Sequence, residues 1–229
     1  MRAEDHEYWE GVHNTHLGER AFILASGPSL ESMRLDGLKG EFVLGVSQLA
    51  QWQGLPVSPN AWACSEHDDL PKIVEQTARL KIPKWFSNPL WHSYDRIHPG
   101  WQPDDTWRWI YSDSFCTWSG FPEKWDGQLD LLGLGDEFWR VGCGHTPVIQ
   151  PGIPALVWMG FREIYLLGVD HTKQDHVYGQ DGSRRQDVGR ANRAFENIVP
   201  ALAEHGVKVR NCSPGSLAPV PYESLESVL

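Results

Sequence analysis

One stretch of the chain, residues 163–169 (EIYLLGV), constrains the fold more than any other. It is a nearly unbroken apolar run, without the alternation of a strand that faces water on one side. Such a run is typical of a strand covered on both faces, as in the parallel sheet of an α/β domain. Residues 155–159 before it indicate the end of a short buried helix that stops at Gly160. We therefore predict that this strand is the central strand of an α/β sheet.

Three polar residues, Asp170, His171 and Thr172, follow this strand directly. In open α/β sheets, ligands bind outside the carboxyl ends of the strands. The sequence therefore predicts that one wall of a ligand site lies here.

Apolar runs and helical spacing predict the remaining elements. Strands are expected at residues 21–25, 41–46, 60–64, 84–87 and 208–211. Helices are expected at residues 4–16, 47–53, 70–80 and 189–204, the last one bent before Pro200. The expected fold class is α/β, with a mostly parallel central sheet and helices on both faces.

The chain has 229 residues, which suits a single α/β domain over residues 1–229. Its unusual feature is the Trp content: eight of the 12 tryptophans lie between Trp85 and Trp139. Residues 88–142 are also rich in Gly and Pro, and we expect an insertion or lid over the ligand edge of the sheet. Its Trp rings could bind a sugar or a base, or could fill a small satellite core.

Charge and cysteine content limit the classes of function. The formal net charge of −10 argues against nucleic acid and anionic membranes as partners, but not against one phosphorylated small ligand. The four cysteines are far apart and indicate free thiols in a reducing compartment. With no signal peptide and no apolar run long enough to span a bilayer, we expect a cytoplasmic protein.

Two loops have the composition of an anion site. Ser26, Gly27, Pro28 and Ser29 follow the first strand, where Gly permits close approach and Ser29 could cap a helix with free N–H groups. An ordinary turn between a strand and a helix is the alternative. The second loop contains Gly144, Thr146 and Pro147, with Thr146 as the expected N-cap. Because Pro151 and Pro154 follow, the helix is expected to be kinked or to start late.

Carboxylates and histidines suggest metal ligands as an alternative. Glu66, Asp68 and Asp170 could hold a divalent cation, although acids near a helix start are also favoured by the helix dipole. His171 and His176 lack a third zinc ligand at fixed spacing. No metal is required by the leading hypothesis.

Three segments match, in order, the motifs of a known group. They are GERAFILASGPSL, MGFREIYLLGVDH and NCSPGSL. With these motifs the chain resembles the DUF115 group. Its members include relatives of bacterial family 42 sialyltransferases, flagellin-modifying Maf proteins and archaeal 6-hydroxymethylpterin diphosphokinases. The resemblance implies a modified Rossmann-like fold.

The resemblance also implies functional residues. In the sialyltransferase branch, the CMP moiety would be held by residues matching Gly27, Pro28, Ser29, Ser47, Gln48, Thr146, Pro147 and Val148. Tyr178 matches a tyrosine that contacts the leaving phosphate. The catalytic His of that branch falls near Gln186, so Asp187, His171 or His176 would have to act as the base. Ser47 also replaces the usual Asn.

The leading hypothesis is a glycosyltransferase-like enzyme that uses a nucleotide-activated sugar of the CMP-sugar type. One alternative is a Mg²⁺-dependent pterin or nucleotide pyrophosphokinase, with Glu66, Asp68 and Asp170 as metal ligands. Another is a catalytically silent nucleotide-binding module, which the absence of a His at the expected position favours. The acceptor and the oligomeric state are left open.

Overall fold

A single parallel sheet organises the part of the chain that the computed structural model describes, which is residues 3–65, 70–87, 104–110, 146–172, 176–177 and 188–229. Within these ranges the sheet has seven strands in the order β5-β4-β3-β2-β1-β6-β7, and every pair is parallel. The strands are β1 (Arg20–Leu24), β2 (Phe42–Val46), β3 (Ala61–Cys64), β4 (Lys84–Ser87), β5 (Trp107–Ile110), β6 (Glu163–Leu167) and β7 (Lys208–Asn211).

Helical segments connect the strands. The α-helices are α1 (Ala3–Val12), α2 (Leu70–Thr77), α3 (Ile153–Trp158), α4 (Val188–Glu204) and α5 (Leu225–Val228). Short 3-10 segments cover Pro28–Ser32, Leu35–Leu38 and Ser47–Gln51, and one π-helical turn, Val148–Gly152, precedes α3.

Both faces of the sheet are covered, which confirms the predicted fold class. Along β1, Ala21 and Ile23 point into one apolar core, whereas Phe22 and Leu24 point into the other. The first core includes residues of α1, α3 and α4, and the second includes residues of α2 and α5. This two-sided burial is why the strands read as continuous apolar runs.

β6 is an inner strand, but it is not the central one. It pairs with β1 on one side and β7 on the other, and is sixth in the sheet order. Its residues from Ile164 to Leu167 are all buried, so the prediction of a strand covered on both faces is confirmed. The prediction that it lies at the centre is wrong, because an apolar run indicates two covered faces and not a place in the order.

Several predicted helix ends are corrected. α1 ends at Val12 and not at residue 16, since Asn14 adopts a left-handed φ of 55° and the chain turns there. α2 ends at Thr77, and Ser47–Gln51 is a 3-10 segment. α4, in contrast, ends at Glu204 as predicted, and it continues through Pro200.

The helix before β6 starts late, as Pro151 and Pro154 predicted. The N–H of Gly152 donates to the carbonyl of Pro147 at 2.9 Å, a π-type bond that spans five residues. Thr146 is not the N-cap: Pro147 is at that position, and no side chain caps this turn. The regular helix begins only at Ile153.

Residues 88–142 contribute one strand that the sequence did not predict. β5 pairs with β4, and the buried Lys84 fixes its start by donating from Nζ to Thr106 Oγ1 at 2.7 Å. Of this segment, only residues 104–110 are among those described. The expectation of a Trp-rich insertion or lid therefore lies mostly outside the described residues.

Five candidate site residues also lie outside the described residues: Glu66, Asp68, Gly144, Tyr178 and Asp187. In the parts of the chain that the structure covers, no helix is long and apolar enough to cross a membrane.

The strand order reverses at β1. From β1 the sheet grows one way through β2, β3, β4 and β5, and the other way through β6 and β7. The loops that leave β1 and β6 therefore diverge from the same edge of the sheet. In open parallel sheets, ligands bind in the crevice at such a switch point.

Candidate functional site

Backbone hydrogen bonds join the exits of β1 and β6 into one surface. The N–H of Ala25 donates to Leu167 O, and that of Gly27 donates to Gly168 O, both at 2.8 Å. The N–H of Val177 returns to Ser26 O, also at 2.8 Å. Residues 26–29 and residues 168–172 with 176–177 are therefore neighbours at the switch point.

Asp170 fixes the loop of residues 26–29. Its Oδ2 accepts from the backbone N–H of Ser29 at 2.9 Å, and its Oδ1 accepts from the Ser29 hydroxyl at 2.5 Å. The side chain is buried, with 6% of the residue exposed. Since hydrogen bonds to a carboxylate are stronger than neutral ones, this pair holds the loop against β6. In this conformation Asp170 contacts the protein's own loop.

Gly27 is required by close packing. Its backbone is extended, with φ −66° and ψ 150°, which any residue can adopt. A Cβ at this position, however, would lie 2.5 Å from Asp170 Oδ2 and 2.5 Å from Gly168 O. The absence of a side chain therefore permits the contact between the two loops.

The amides of this loop do not form an open anion site. The N–H of Gly27 donates to Gly168 O and that of Ser29 to Asp170, while Pro28 has no N–H. Ser29 does not cap a helix either, because it lies inside the 3-10 segment Pro28–Ser32, whose N-cap residue is Gly27. A phosphate at this edge would have to be bound by other groups.

His176 contacts the same loop. Its Nδ1 lies 2.8 Å from the Ser26 hydroxyl, so the two side chains are hydrogen-bonded across the switch point. A hydroxyl can donate or accept, so this contact permits either tautomer of the ring. Ser26 and His176, both predicted site residues, are thus brought together.

His171 is held on the other side of the β6 exit. Its φ of 51° is left-handed, and its Nδ1 lies 2.5 Å from Asn192 Oδ1 on α4. The ring centre is 5.6 Å from that of Phe195. Burial lowers the pKa of His171, and the hydrogen bond to Asn192 and the charge of Asp170 partly oppose this effect. The ring is therefore neutral at pH 7.

The last residue of β7 and the loop after it, residues 211–217, support the β6 exit. Asn211 Nδ2 and Ser216 Oγ both donate to Val169 O, at 2.9 and 2.7 Å, and Ser213 Oγ accepts from the N–H of Val169 at 3.0 Å. The N–H of Leu217 donates to Asp170 O at 2.8 Å. Sequence reasoning missed this support, although the motif NCSPGSL contained the signal.

The other residues predicted to contact the nucleotide are partly or fully buried. Ser47, with a left-handed φ of 50°, accepts at its carbonyl from the Trp62 indole at 3.0 Å. Gln48 is 8% exposed, and its Oε1 accepts from Gln51. Thr146 is 9% exposed, and within the described ranges its hydroxyl makes no hydrogen bond.

The described residues contain no group of three or more His, Cys, Asp or Glu side chains that could hold a metal ion. Glu66 and Asp68 are outside these residues, so the magnesium alternative stays a prediction. For the zinc alternative, His171 and His176 have their Nδ1 atoms hydrogen-bonded to Asn192 and Ser26, respectively.

Comparisons with known proteins add one similarity. No protein-family model matches the chain, and no curated protein is significantly similar to it. Among solved structures, it is similar to a point mutant of the alpha-2,3/8-sialyltransferase CstII, with 15% sequence identity, 90% of each chain covered and a TM-score of 0.47. A likeness of this size does not carry a function from one protein to another. The resemblance to the DUF115 group stays a prediction.

Proposed function

We propose that this chain is a glycosyltransferase-like enzyme that binds a nucleotide-activated sugar of the CMP-sugar type at the β1/β6 switch point. The observation that carries the proposal is the meeting of the two exit loops, with Asp170 bound to Ser29 and His176 bound to Ser26. A rigid loop beside an imidazole is suited to binding a ligand and accepting a proton. The motif resemblance supplies the class of donor.

The reaction needs a base and a stabilised leaving group. The base takes the proton from the acceptor hydroxyl, whose oxygen forms a bond to the anomeric carbon. The bond from that carbon to the phosphate oxygen breaks, and the nucleotide leaves with the electron pair. His171 and His176 are the imidazoles at this edge among the described residues, and His171 is neutral at pH 7. Asp187 stays a third candidate base, as predicted from the sequence.

Donors to the leaving phosphate are the second requirement. Because the amides of Gly27 and Ser29 donate within the protein, we assign this role to side chains. Thr146 is a candidate, since its hydroxyl has no partner within the described ranges. Tyr178 and Gly144 stay predictions.

Binding is tested first, by thermal unfolding with CMP, CDP, UDP, GDP, ATP or a pterin, each with Mg²⁺ or with EDTA. We expect CMP to stabilise the protein in both conditions. A ligand at a hundred times its Kd adds about 2.7 kcal/mol to the free energy of unfolding. Thr146→Val should weaken the shift, whereas Ser32→Ala, which removes an exposed hydroxyl at the end of the 3-10 segment after β1, should not.

The outcomes separate the candidate functions. No shift with any nucleotide at millimolar concentration contradicts the proposal. A shift that requires Mg²⁺ favours the pyrophosphokinase alternative. If CMP binds, but no CMP is released from CMP-sugar donors in the presence of acceptor sugars, the silent binding module is favoured.

A further inference from the structure

The contact between His171 and Asn192 determines which ring nitrogen of His171 carries the hydrogen, as well as the position of the ring. Asn192 Nδ2 lies 3.4 Å from the carbonyl of Leu217, and a carbonyl can only accept. The amide NH₂ of Asn192 is therefore directed to Leu217, and Oδ1 is directed to His171. The orientation of the Asn192 side chain follows from its two neighbours.

This orientation selects one tautomer of His171. Since Asn192 Oδ1 can only accept, the hydrogen must be on His171 Nδ1, which lies 2.5 Å away. In the neutral ring, the lone pair is then on Nε2. Within the described part of the chain, Nε2 makes no hydrogen bond. His171 thus presents a free proton acceptor beside Asp170.

The backbone at His171 is consistent with a functional constraint. A left-handed φ, here 51°, costs a residue other than Gly free energy, and such residues cluster at functional sites. The side-chain contact to α4 keeps the ring in place despite this cost. His176 differs, because its Ser26 partner permits either tautomer.

We infer that His171 is the residue that takes the acceptor's proton, through Nε2, and that Asn192 is the positioning residue that keeps it in the Nδ1–H tautomer. The inference rests on the proposed glycosyl transfer. The inference gives a role to Asn192, a residue of α4 that lies 21 positions from His171 in the sequence. Asn192 holds the ring and does not itself touch the reacting atoms.

The tautomer is measured on the ligand-free protein by two-bond ¹⁵N–¹H correlation spectra of histidine-labelled samples. The signals of His171 are assigned by their loss in His171→Gln. We expect the Nδ1–H pattern in the wild type and a shift towards the Nε2–H pattern in Asn192→Ala. Asn192→Asp keeps an acceptor oxygen, so His171 should keep its hydrogen on Nδ1 in this variant. It is also the second variant to be measured if Asn192→Ala does not fold.

A matched control is the other Asn–His contact. Asn14 Nδ2 lies 3.1 Å from His13 Nε2 near the end of α1, so Asn14→Ala should leave the His171 signals unchanged. An Nε2–H pattern for His171 in the wild type overturns the inference, even if nucleotides bind. The Nδ1–H pattern without nucleotide binding would instead remove the proposed function and keep the assignment of Asn192.

Turnover supplies the second readout, with the donor found in the nucleotide tests. We expect His171→Gln to lower kcat by about a hundredfold or more. Asn192→Ala should lower kcat by about tenfold with KM changed less than twofold, because one tautomer becomes a mixture and substrate contacts are kept. Wild-type turnover in His171→Gln overturns the inference.

Discussion

Asp170 and Ser29 are joined by two hydrogen bonds, one from the Ser29 backbone N–H and one from its hydroxyl, although 141 positions separate them in the sequence. This pair closes the β1/β6 switch point. The carboxylate is buried, so its two acceptors are directed to the loop and not to solvent. The pair therefore decides whether the loop of residues 26–29 keeps its conformation.

Substitutions of Asp170 should show a graded effect. Asp170→Ala leaves the N–H of Ser29 without its acceptor, so we expect a loss of about 1–3 kcal/mol in the free energy of unfolding. Asp170→Asn keeps one acceptor oxygen and should lose less. Urea denaturation measures both. Ser32→Ala, which removes a bond to the Ser29 carbonyl in an exposed position, is the control with an expected change below about 0.5 kcal/mol. Equal stability of the Ala variant and the wild type would contradict the role of Asp170.

Gly27→Ala tests the close contact of the two loops. Its Cβ would meet Asp170 Oδ2 and Gly168 O, each at 2.5 Å, so one loop must move. We expect a loss of about 1–3 kcal/mol, as for other overpacked sites, together with weaker nucleotide binding. Gly11→Ala in α1 is the matched control. Its Cβ meets nothing within 4 Å, so that variant should be neutral or gain about 0.5–1 kcal/mol.

Acid should destabilise the protein partly through His171. Burial lowers its pKa, so the unfolded chain binds a proton at a higher pH than the folded one. The contribution of His171 to stability is therefore complete above its pKa in the unfolded chain, about 6.5, and decreases as the pH falls below that value. His171→Gln should lose less stability than the wild type between pH 7 and pH 5. Both are compared with their own values at pH 8, and parallel curves would contradict this prediction.

Cys212 should be inert in the folded protein, although it lies in the motif NCSPGSL. It is buried, and burial, with the charges of Glu223 and Glu226, raises the pKa of its thiol to about 12. Since the thiolate is the reactive species, iodoacetamide at pH 8 should not modify Cys212 until the protein is unfolded in urea. Peptide mass mapping before and after unfolding checks this. Rapid modification of the folded protein would show an accessible thiolate.

The sequence predicted the strands well where both faces are buried. The bounds of β4 and β7 agree with the predicted ones, those of β2 and β3 differ by one residue at the start, and those of β1 differ by one residue at each end. β5 was missed because Trp107–Ile110 (WRWI) is short and contains Arg108, within a segment that has few aliphatic residues. The order of the strands was not predictable in detail, since local patterns do not encode which strands pair.

The candidate site was predictable in its loops but not in its contacts. The sequence indicated residues 26–29 and 170–172, because polar residues follow buried strands at one edge. It suggested free backbone N–H groups in residues 26–29 and an accessible Asp170 side chain. In the structure, the N–H of Ser29 instead donates to Asp170. Such pairing depends on the distance between loops after folding, which the sequence alone does not give. Asn192 was missed for the same reason, as it lies on a helix face without a motif.

The strand order also determines when the site can exist during protein synthesis. At roughly 5–20 residues per second, the ribosome needs about 7–28 s to add the 141 positions from Ser29 to Asp170. Until β6 emerges, one edge of β1 has unpaired backbone N–H and C=O groups, which are a template for pairing with another chain. Nascent chains and fragments that end before β6 therefore lack the site and expose an aggregation-prone edge, so chaperones that bind unpaired strands should favour the yield of folded protein.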